Sequence, residues 1–583
     1  MRRGRYIGVA SRPPQAASAG AVRDLTRRSA DFRLLLDQPG LTIAAEPSLA
    51  AIELAGGVVL GDILTRDRSA AVHSFSTDDA GPIRASGGSA LIEGYWGSYV
   101  AALADPGGDG ALLVKAPFGD LPCYFTHGSG ITAFASDVRL LQTTGLFEAR
   151  PDAREIARHL AQPELRWGET CLSGLHSLPG GASLRAGAGA NAIRTLWSPW
   201  RFAAPERQFS NAPEAAARLR ERVSACVAGL AAPYQRSLLL LSGGLDSSIV
   251  AAALAAGGGK LTCLNLVDRD PAGDERRYAR QTADAVGAPL VEVPRRRLAI
   301  DLMRSGASGT PYPSARSFTQ EADLAVLEVS REVGAEAVFD GGGGDNVFYG
   351  LLSVAPLADC LLTGGFNPLF WSTARALADL AQTGLWRVAA RAAHRAWLRS
   401  PRPRLTLNTR FLSPKAREAL VGWAPHPWLT PPSGTLPGKA SQVALLAPAQ
   451  GLVEAGDTFL PLRAIAPLLA QPIVETCLGV PSWFWFAPAW NRAVARRAFR
   501  DVLPPAVIDR RSKGTPNAFV AALFEANRPL IREMLLGGWL AAQGLLDLDQ
   551  VRRVLDTAGP TRGFDFARIM ELVDAEAWAR SWD

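Results

Sequence analysis

Lysine is nearly missing from this chain. Only five occur in 583 residues, Lys115, Lys260, Lys415, Lys439 and Lys513, so the net charge of +7 and the pI of about 9.3 rest on arginine. The mild excess favours anionic ligands, but no RNA- or DNA-binding motif accompanies it, and nucleic acid is not an expected partner. Cysteine is sparse as well. Its six copies, Cys123, Cys171, Cys226, Cys263, Cys360 and Cys477, form no CxxC pair, which argues against a disulfide framework or a zinc site of that kind. The six histidines show no HExxH spacing, so catalytic zinc is not expected either. No run approaches the ~18 apolar residues of a membrane span, and "MRRGRYIGVASRPPQ" lacks the apolar stretch of a signal peptide. A cytoplasmic protein without a membrane partner is the expectation.

What is present is ample core material. Apolar residues make up 48% and charged residues 20%, the composition of a folded chain long enough for two to four domains. Up to about residue 200, short apolar segments such as "RYIGVA", "GGVVLGDIL", "GSYVAAL" and "ITAFAS" alternate with Gly, Pro and Asp turns, a strand-rich pattern. After a Pro- and Trp-containing connector the pattern changes, which places a domain boundary near 200–212. "RSLLLL", "KLTCLNLV", "APLVEV" and "AEAVFD" then read as strands alternating with helices, which predicts a parallel sheet covered on both faces. Ligands bind such sheets at the carboxyl ends of the strands, where "SGGLDSS" and "DGGGGDN" both begin. Beyond 351 the chain reads as mainly helical, with Pro- and Trp-rich connectors between 399 and 440 expected to be mobile loops.

The stretch "LLLLSGGLDSSIVAAAL" carries the clearest chemistry. Gly243 and Gly244 permit close backbone approach, and Ser242, Ser247 and Ser248 add hydroxyls beside the N–H groups of the next helix, a combination suited to phosphate. No lysine follows the glycines, so this is not a Walker A loop. Asp246 would repel a phosphate unless a divalent cation lay between them, and magnesium with a polyphosphate resolves the conflict.

That string resembles the PP-loop of ATP pyrophosphatases, and "VFDGGGGDNVFYG" resembles a loop of the asparagine synthetase superfamily. The resemblance extends to "PLLAQPIVETCLGVPSWFWF" and to "NRAVARRAFRDVLPPAVIDRRSKGTPN". It implies ATP and Mg2+ as cofactors, with Asp246 and Asp345 as the metal carboxylates. Leu241, Ser242, Gly243, Gly244, Asp246, Ser247 and Ser248 would hold the phosphates, Leu266 would line the adenine pocket by its backbone, and Asp340 and Gly341 would lie beside the ribose or adenine. Lys513 would stabilise the charge of the transition state. The implied fold class is α/β plus α+β: a degenerate N-terminal nucleophile hydrolase-like β-sandwich over 1–205, then an ATP pyrophosphatase-type parallel-sheet domain over 212–583 with a helical C-terminal elaboration.

Residues Gly94 to Gln142 are similar to the late strands of the glutaminase domain found in that superfamily. Glutaminases use an N-terminal cysteine, whereas this chain opens Met1-Arg2-Arg3-Gly4 and has no cysteine before Cys123, so glutamine hydrolysis is not expected. Gly342 and Asn346 replace positions that carry larger or acidic side chains in relatives, and the loss of a side chain at Gly342 is expected to leave space for a larger substrate. The pattern is most similar to lasso peptide cyclases. This implies adenylation of an Asp or Glu side chain of a leader-cleaved precursor peptide, ring closure by the peptide's N-terminal amine, and a leader peptidase and leader-binding protein as partners. An ammonia-using amidotransferase and a non-catalytic scaffold are the alternatives. The run Trp483 to Phe486 is expected to pack in the core.

Overall fold

Strands β1 to β12 fill the chain as far as Thr195 and pair into two antiparallel six-stranded sheets. This computed structural model describes residues 4–11, 16–76, 78–105, 110–128, 130–187, 193–268, 273–296, 300–424, 426–454, 460–511, 514, 516–557 and 563–582. The strands are β1 Tyr6–Ser11, β2 Arg33–Gln38, β3 Leu41–Ala45, β4 Ala51–Leu54, β5 Gly57–Thr65, β6 Tyr95–Ala104, β7 Ala111–Lys115, β8 Tyr124–Gly128, β9 Ile131–Ala135, β10 His176–Ser177, β11 Ala182–Ala186 and β12 Ile193–Thr195. One sheet runs β10-β8-β9-β1-β3-β2 and the other β12-β11-β7-β6-β5-β4. Val100 and Ala102 of β6 meet Tyr6, Ile43 and Leu184 between the sheets, while the alternate residues Tyr99, Ala101 and Leu103 join a second core on the opposite face. Burial on both faces explains why these strands are apolar nearly throughout rather than at every second position.

The second half is built on a five-stranded sheet of β13 Arg236–Leu240, β14 Lys260–Val267, β15 Leu290–Pro294, β16 Ala337–Phe339 and β17 Arg463–Ile465. Its order is β15-β14-β13-β16-β17 and every pairing is parallel. Leu238 packs with Val326 and Val329 of the helix Gln320–Val333 on one face. Its neighbour Leu239 packs with the helices Ala212–Ala231 and Leu245–Ala256 on the other. The chain is therefore a mixed α/β protein with a β-rich N-terminal part and a parallel-sheet part, helices covering both faces of the latter. Strand β17 has no sequence signal, because three residues, Arg-Ala-Ile, are too few to show a period.

One expectation is corrected. The 399–440 segment is not a mobile loop throughout: Phe411, Leu412 and Trp428 are buried, and short helical turns occupy Pro414–Glu418 and Pro427–Leu429. Pro414 and Pro427 stand at the first turns of those helices, where a missing N–H leaves no backbone bond unmade, so these two prolines mark helix starts. Trp485 and Phe486 are buried, in keeping with a packing role for the aromatic run. Among the described residues no helix is long and apolar enough to cross a membrane.

The two parts share continuous apolar contacts. Trp428 lies against Phe118, Trp167 and Trp197 of the N-terminal part, and His426 sits between Trp167 and Trp428, both ring centroids 4.8 Å away. The His426 Nδ1 accepts from the Trp428 N–H at 3.2 Å. Burial lowers its pKa to about 3, against an ordinary value near 6.5. A group whose folded pKa is depressed in this way contributes stability that is complete above about pH 6.5 and is lost as pH falls toward 3, at up to about 1.4 kcal/mol per pH unit. Asp359 and Asp574, both raised to about 6 by burial, act with the opposite sign in the upper part of that window. The difference between wild type and His426→Phe isolates the histidine. Urea unfolding between pH 4 and pH 7 is expected to show the wild type losing more stability on acidification than the variant, and parallel profiles would disprove this.

Candidate functional site

Beyond Leu240 the chain turns at Gly243, whose φ of +67° is easily reached only without a side chain, and Gly244 caps the helix Leu245–Ala256. A second loop, Asp340 to Asn346, leaves the end of the adjacent strand β16. The two loops bound a cleft of about 250 Å3 lined by Ser242, Gly244, Asp246, Ser247, Gly341 to Gly344, Asp345 and Asn346. Both lie at the carboxyl edge of the parallel sheet, as expected of a ligand site in this architecture.

Glycine is required where the loops meet. A Cβ at Gly341 would lie 2.6 Å from the Ser247 nitrogen, and one at Gly344 would lie 2.4 Å from the Asp246 carboxyl carbon. The Gly341 neighbour is backbone and cannot swing aside. Gly341→Ala is therefore expected to cost about 1–3 kcal/mol in urea unfolding by forcing the loops apart. Unchanged stability would show that the loops separate freely.

Asp246 is buried in the first turn of its helix, whereas Asp345 is largely exposed. One guanidinium joins them: Arg492 Nη1 donates to Asp246 Oδ1 and Oδ2 at 3.1 and 3.0 Å and to Asp345 Oδ1 at 2.6 Å. Arg492 adopts left-handed backbone angles (φ 52°, ψ 35°) just before the helix Ala493–Ala498. Behind it, Arg496 is buried on the carbonyls of Asn491, Ile508 and Arg510. Burial first, and the Arg492 charge second, lower its pKa to about 10. Arg510 donates to the Gly243 carbonyl at 3.1 Å and to Glu275 at 2.7 Å, and its guanidinium lies 4.0 Å from the Tyr278 ring centroid. It fixes the glycine turn from beneath.

The remaining residues divide. The Ser242 and Ser247 hydroxyls are 3.2 Å apart in the cleft. Ser248 faces away from it, its hydroxyl 3.1 Å from that of Thr282 on the helix Arg276–Val286. Leu241 is a core residue whose N–H donates to the Leu264 carbonyl and whose carbonyl accepts from the Asn265 amide. Leu266 lies on β14 beyond its last partner on β13, outside the cleft lining. Asp340 turns back on its own loop and accepts from the Gly342 N–H at 2.7 Å. Burial raises its pKa and that hydrogen bond opposes the rise. The space anticipated at Gly342 is thus taken by the Asp340 carboxylate, 2.7 Å from where a Cβ would stand. Asn346 donates to the Leu445 carbonyl at 2.6 Å and ties the loop to the helix Pro437–Glu454. Lys513 lies outside the described residues.

Sequence reasoning missed Arg492, Arg496 and the contact Arg510 makes with Gly243. All three belong to the segment beginning "NRAVARRAF", which pointed to the region but not to which arginine enters the cleft.

A parallel sheet with two glycine loops and two carboxylates at its carboxyl edge is the α/β class of architecture in which ligand clefts form at the strand ends. The family model described as asparagine synthase matches residues 218–580, and the chain belongs to that family. Membership implies an ATP-dependent carbon–nitrogen ligase. Two solved structures show a looser likeness. One is the allosteric regulatory enzyme of purine biosynthesis, 9% identical, covering 58% of this chain and 89% of its own, with a TM-score of 0.22. The other is glutamine phosphoribosylpyrophosphate amidotransferase from B. subtilis complexed with ADP and GMP, 10% identical, covering 58% and 90%, with a TM-score of 0.21. At such scores neither likeness bears on site or mechanism. A comparison with curated protein sequences found no match.

Proposed function

We propose that the protein is a peptide macrolactam synthetase of the lasso cyclase type, its N-terminal sandwich a glutaminase-like domain without glutaminase activity. The observation that carries the ATP site is the sharing of one cationic group by Asp246 and Asp345 between two glycine loops. The carboxylate pair already holds a guanidinium, and the loops leave no room for side chains, so the donor set fits magnesium and polyphosphate. Asp246 and Asp345 would hold Mg2+, and Ser242, Gly243, Gly244 and Ser247 the phosphates. The metal would supply charge screening for the polyphosphate.

In this reading a carboxylate oxygen of the peptide attacks the α-phosphorus of ATP, the bond from that phosphorus to the α–β bridging oxygen breaks, and pyrophosphate leaves. The peptide's N-terminal amine then attacks the acyl carbon, AMP departs with the C–O bond, and the amine gives up a proton. The chain's own contribution would be positioning and charge stabilisation, with Arg492 and Arg510 as cations beside the two loops and Lys513 the lysine that the family resemblance implies for the transition state. Cys123, the first cysteine, is buried in the sandwich core and all six thiols are buried, which supports an amine other than glutamine-derived ammonia. The leader peptidase and leader-binding protein belong to the same proposal.

The test is turnover of the leader-free peptide encoded by a short neighbouring reading frame, with Mg2+ and ATP. AMP and pyrophosphate should appear together with a product lighter by one water. Turnover with aspartate and ammonia but no peptide would assign an amidotransferase instead, and no turnover with either would assign a scaffold.

A further inference from the structure

The helix Leu385–Trp397 and the chain after it line a cavity of about 1020 Å3. Its floor is aliphatic, from Leu351, Leu352, Val354, Leu377, Val388 and Leu445. Its walls carry six arginines. Arg387, Arg391 and Arg395 fall at spacing four on one face of the helix, and Arg399, Arg402 and Arg404 follow in the next segment. Among the described residues none of the six takes part in an ion pair, no acidic side chain lines the cavity, and the imidazole of His394 is the single aromatic ring in its lining. Arg395 is half-buried and donates to the Ser400 and Pro401 carbonyls, and burial lowers its pKa despite the attraction of the Asp359 carboxylate.

Cations gathered around an apolar concavity focus positive potential into it, and guanidinium forks match carboxylates in two-point hydrogen bonds. A nucleic acid would need a row of aromatic faces on which to stack successive bases, and the lining offers a single imidazole, that of His394. The volume stands at the upper limit of pockets for drug-sized ligands, more than a single amino acid requires. The cavity also shares a wall with the phosphate-type cleft: Asn346 lines the cleft and donates to the carbonyl of Leu445, which lines the cavity.

We propose that this cavity binds an acidic peptide, its carboxylates on the arginines and its aliphatic side chains on the floor, and that this peptide is the acyl substrate. The second part rests on the synthetase reading above. The first part does not, because it is tested without nucleotide.

Isothermal titration of the full-length protein with a short synthetic peptide of alternating Glu and Leu is the primary measurement. Its Gln-for-Glu counterpart is expected to bind at least about tenfold more weakly, the difference expected for charge-assisted hydrogen bonds. The double variant Arg391→Glu, Arg399→Glu alters two exposed side chains, and it should lose about tenfold or more for the Glu peptide with an unchanged melting temperature. Arg391→Lys should retain most of the affinity. Equal binding of the two peptides, undetectable binding of the Glu peptide, or an unaffected double variant would each overturn the proposal. So would tighter binding of a short oligo-dT that the double variant abolishes, since that would make the cavity a nucleic-acid site. Mg2+–ATP binding is measured separately: its failure would remove the synthetase reading and leave the peptide result standing.

Discussion

Asp246→Asn is expected to abolish the magnesium-dependent part of ATP binding, weakening it on the order of 100-fold, about 2.7 kcal/mol. The argument is electrostatic. Asp246 is buried in the first turn of a helix whose N-terminus favours anions, next to a glycine turn suited to phosphate, so its own negative charge is useful there only if a cation intervenes. In the structure that cation is Arg492. Asparagine keeps the volume and removes the charge, and Asp345 remains to hold the Arg492 guanidinium, so the fold should persist. Calorimetric titration of ATP with and without Mg2+, alongside circular dichroism, measures both. Mg2+–ATP binding by the variant as tight as wild type would remove Asp246 from the proposed metal site.

The second large effect is on stability. Arg463→Met should cost about 3 kcal/mol or more. Arg463 is the first residue of β17 and is largely buried, donating from Nε and Nη2 to Asp120 at 2.8 and 2.9 Å and from Nη1 to Asp62. Both carboxylates belong to the N-terminal part, so one side chain on the edge strand of the parallel sheet ties the two parts together. Truncating one partner of a buried pair leaves the others uncompensated, at ~3–5 kcal/mol, and the partial exposure of Asp62 points to the lower end. The loss should reach the cleft as well, since Ile465 on the same strand accepts from the Asp340 N–H at 3.1 Å. Urea unfolding gives the energy, and the triple variant with Asp62→Asn and Asp120→Asn should recover part of it. A loss below about 1 kcal/mol would show that the apolar contacts around Trp428 hold the parts together unaided.

Much of this was legible in one dimension. The strands β13 to β16 follow from their apolar runs and the alternating helices, and both glycine loops follow from contiguous residues, because a turn and the helix start after it are local events. Where local composition was trusted too far, packing prevailed: Pro414 and Pro427 begin helical turns, and Phe411, Leu412 and Trp428 are buried there. Ser248 was expected at the phosphates for its hydroxyl beside the helix N–H groups, yet neighbours on a helix point in different directions, and in the structure Ser248 meets Thr282.

The sequence by itself therefore determined the parallel-sheet architecture, the two glycine loops and the carboxylates within them, because each rests on residues adjacent in the chain. Only the tertiary structure decided that Arg492 enters between Asp246 and Asp345, that Asp340 closes the space beside Gly342, and that six arginines surround one cavity. These depend on side chains from distant segments meeting in space, and no local pattern encodes such distances.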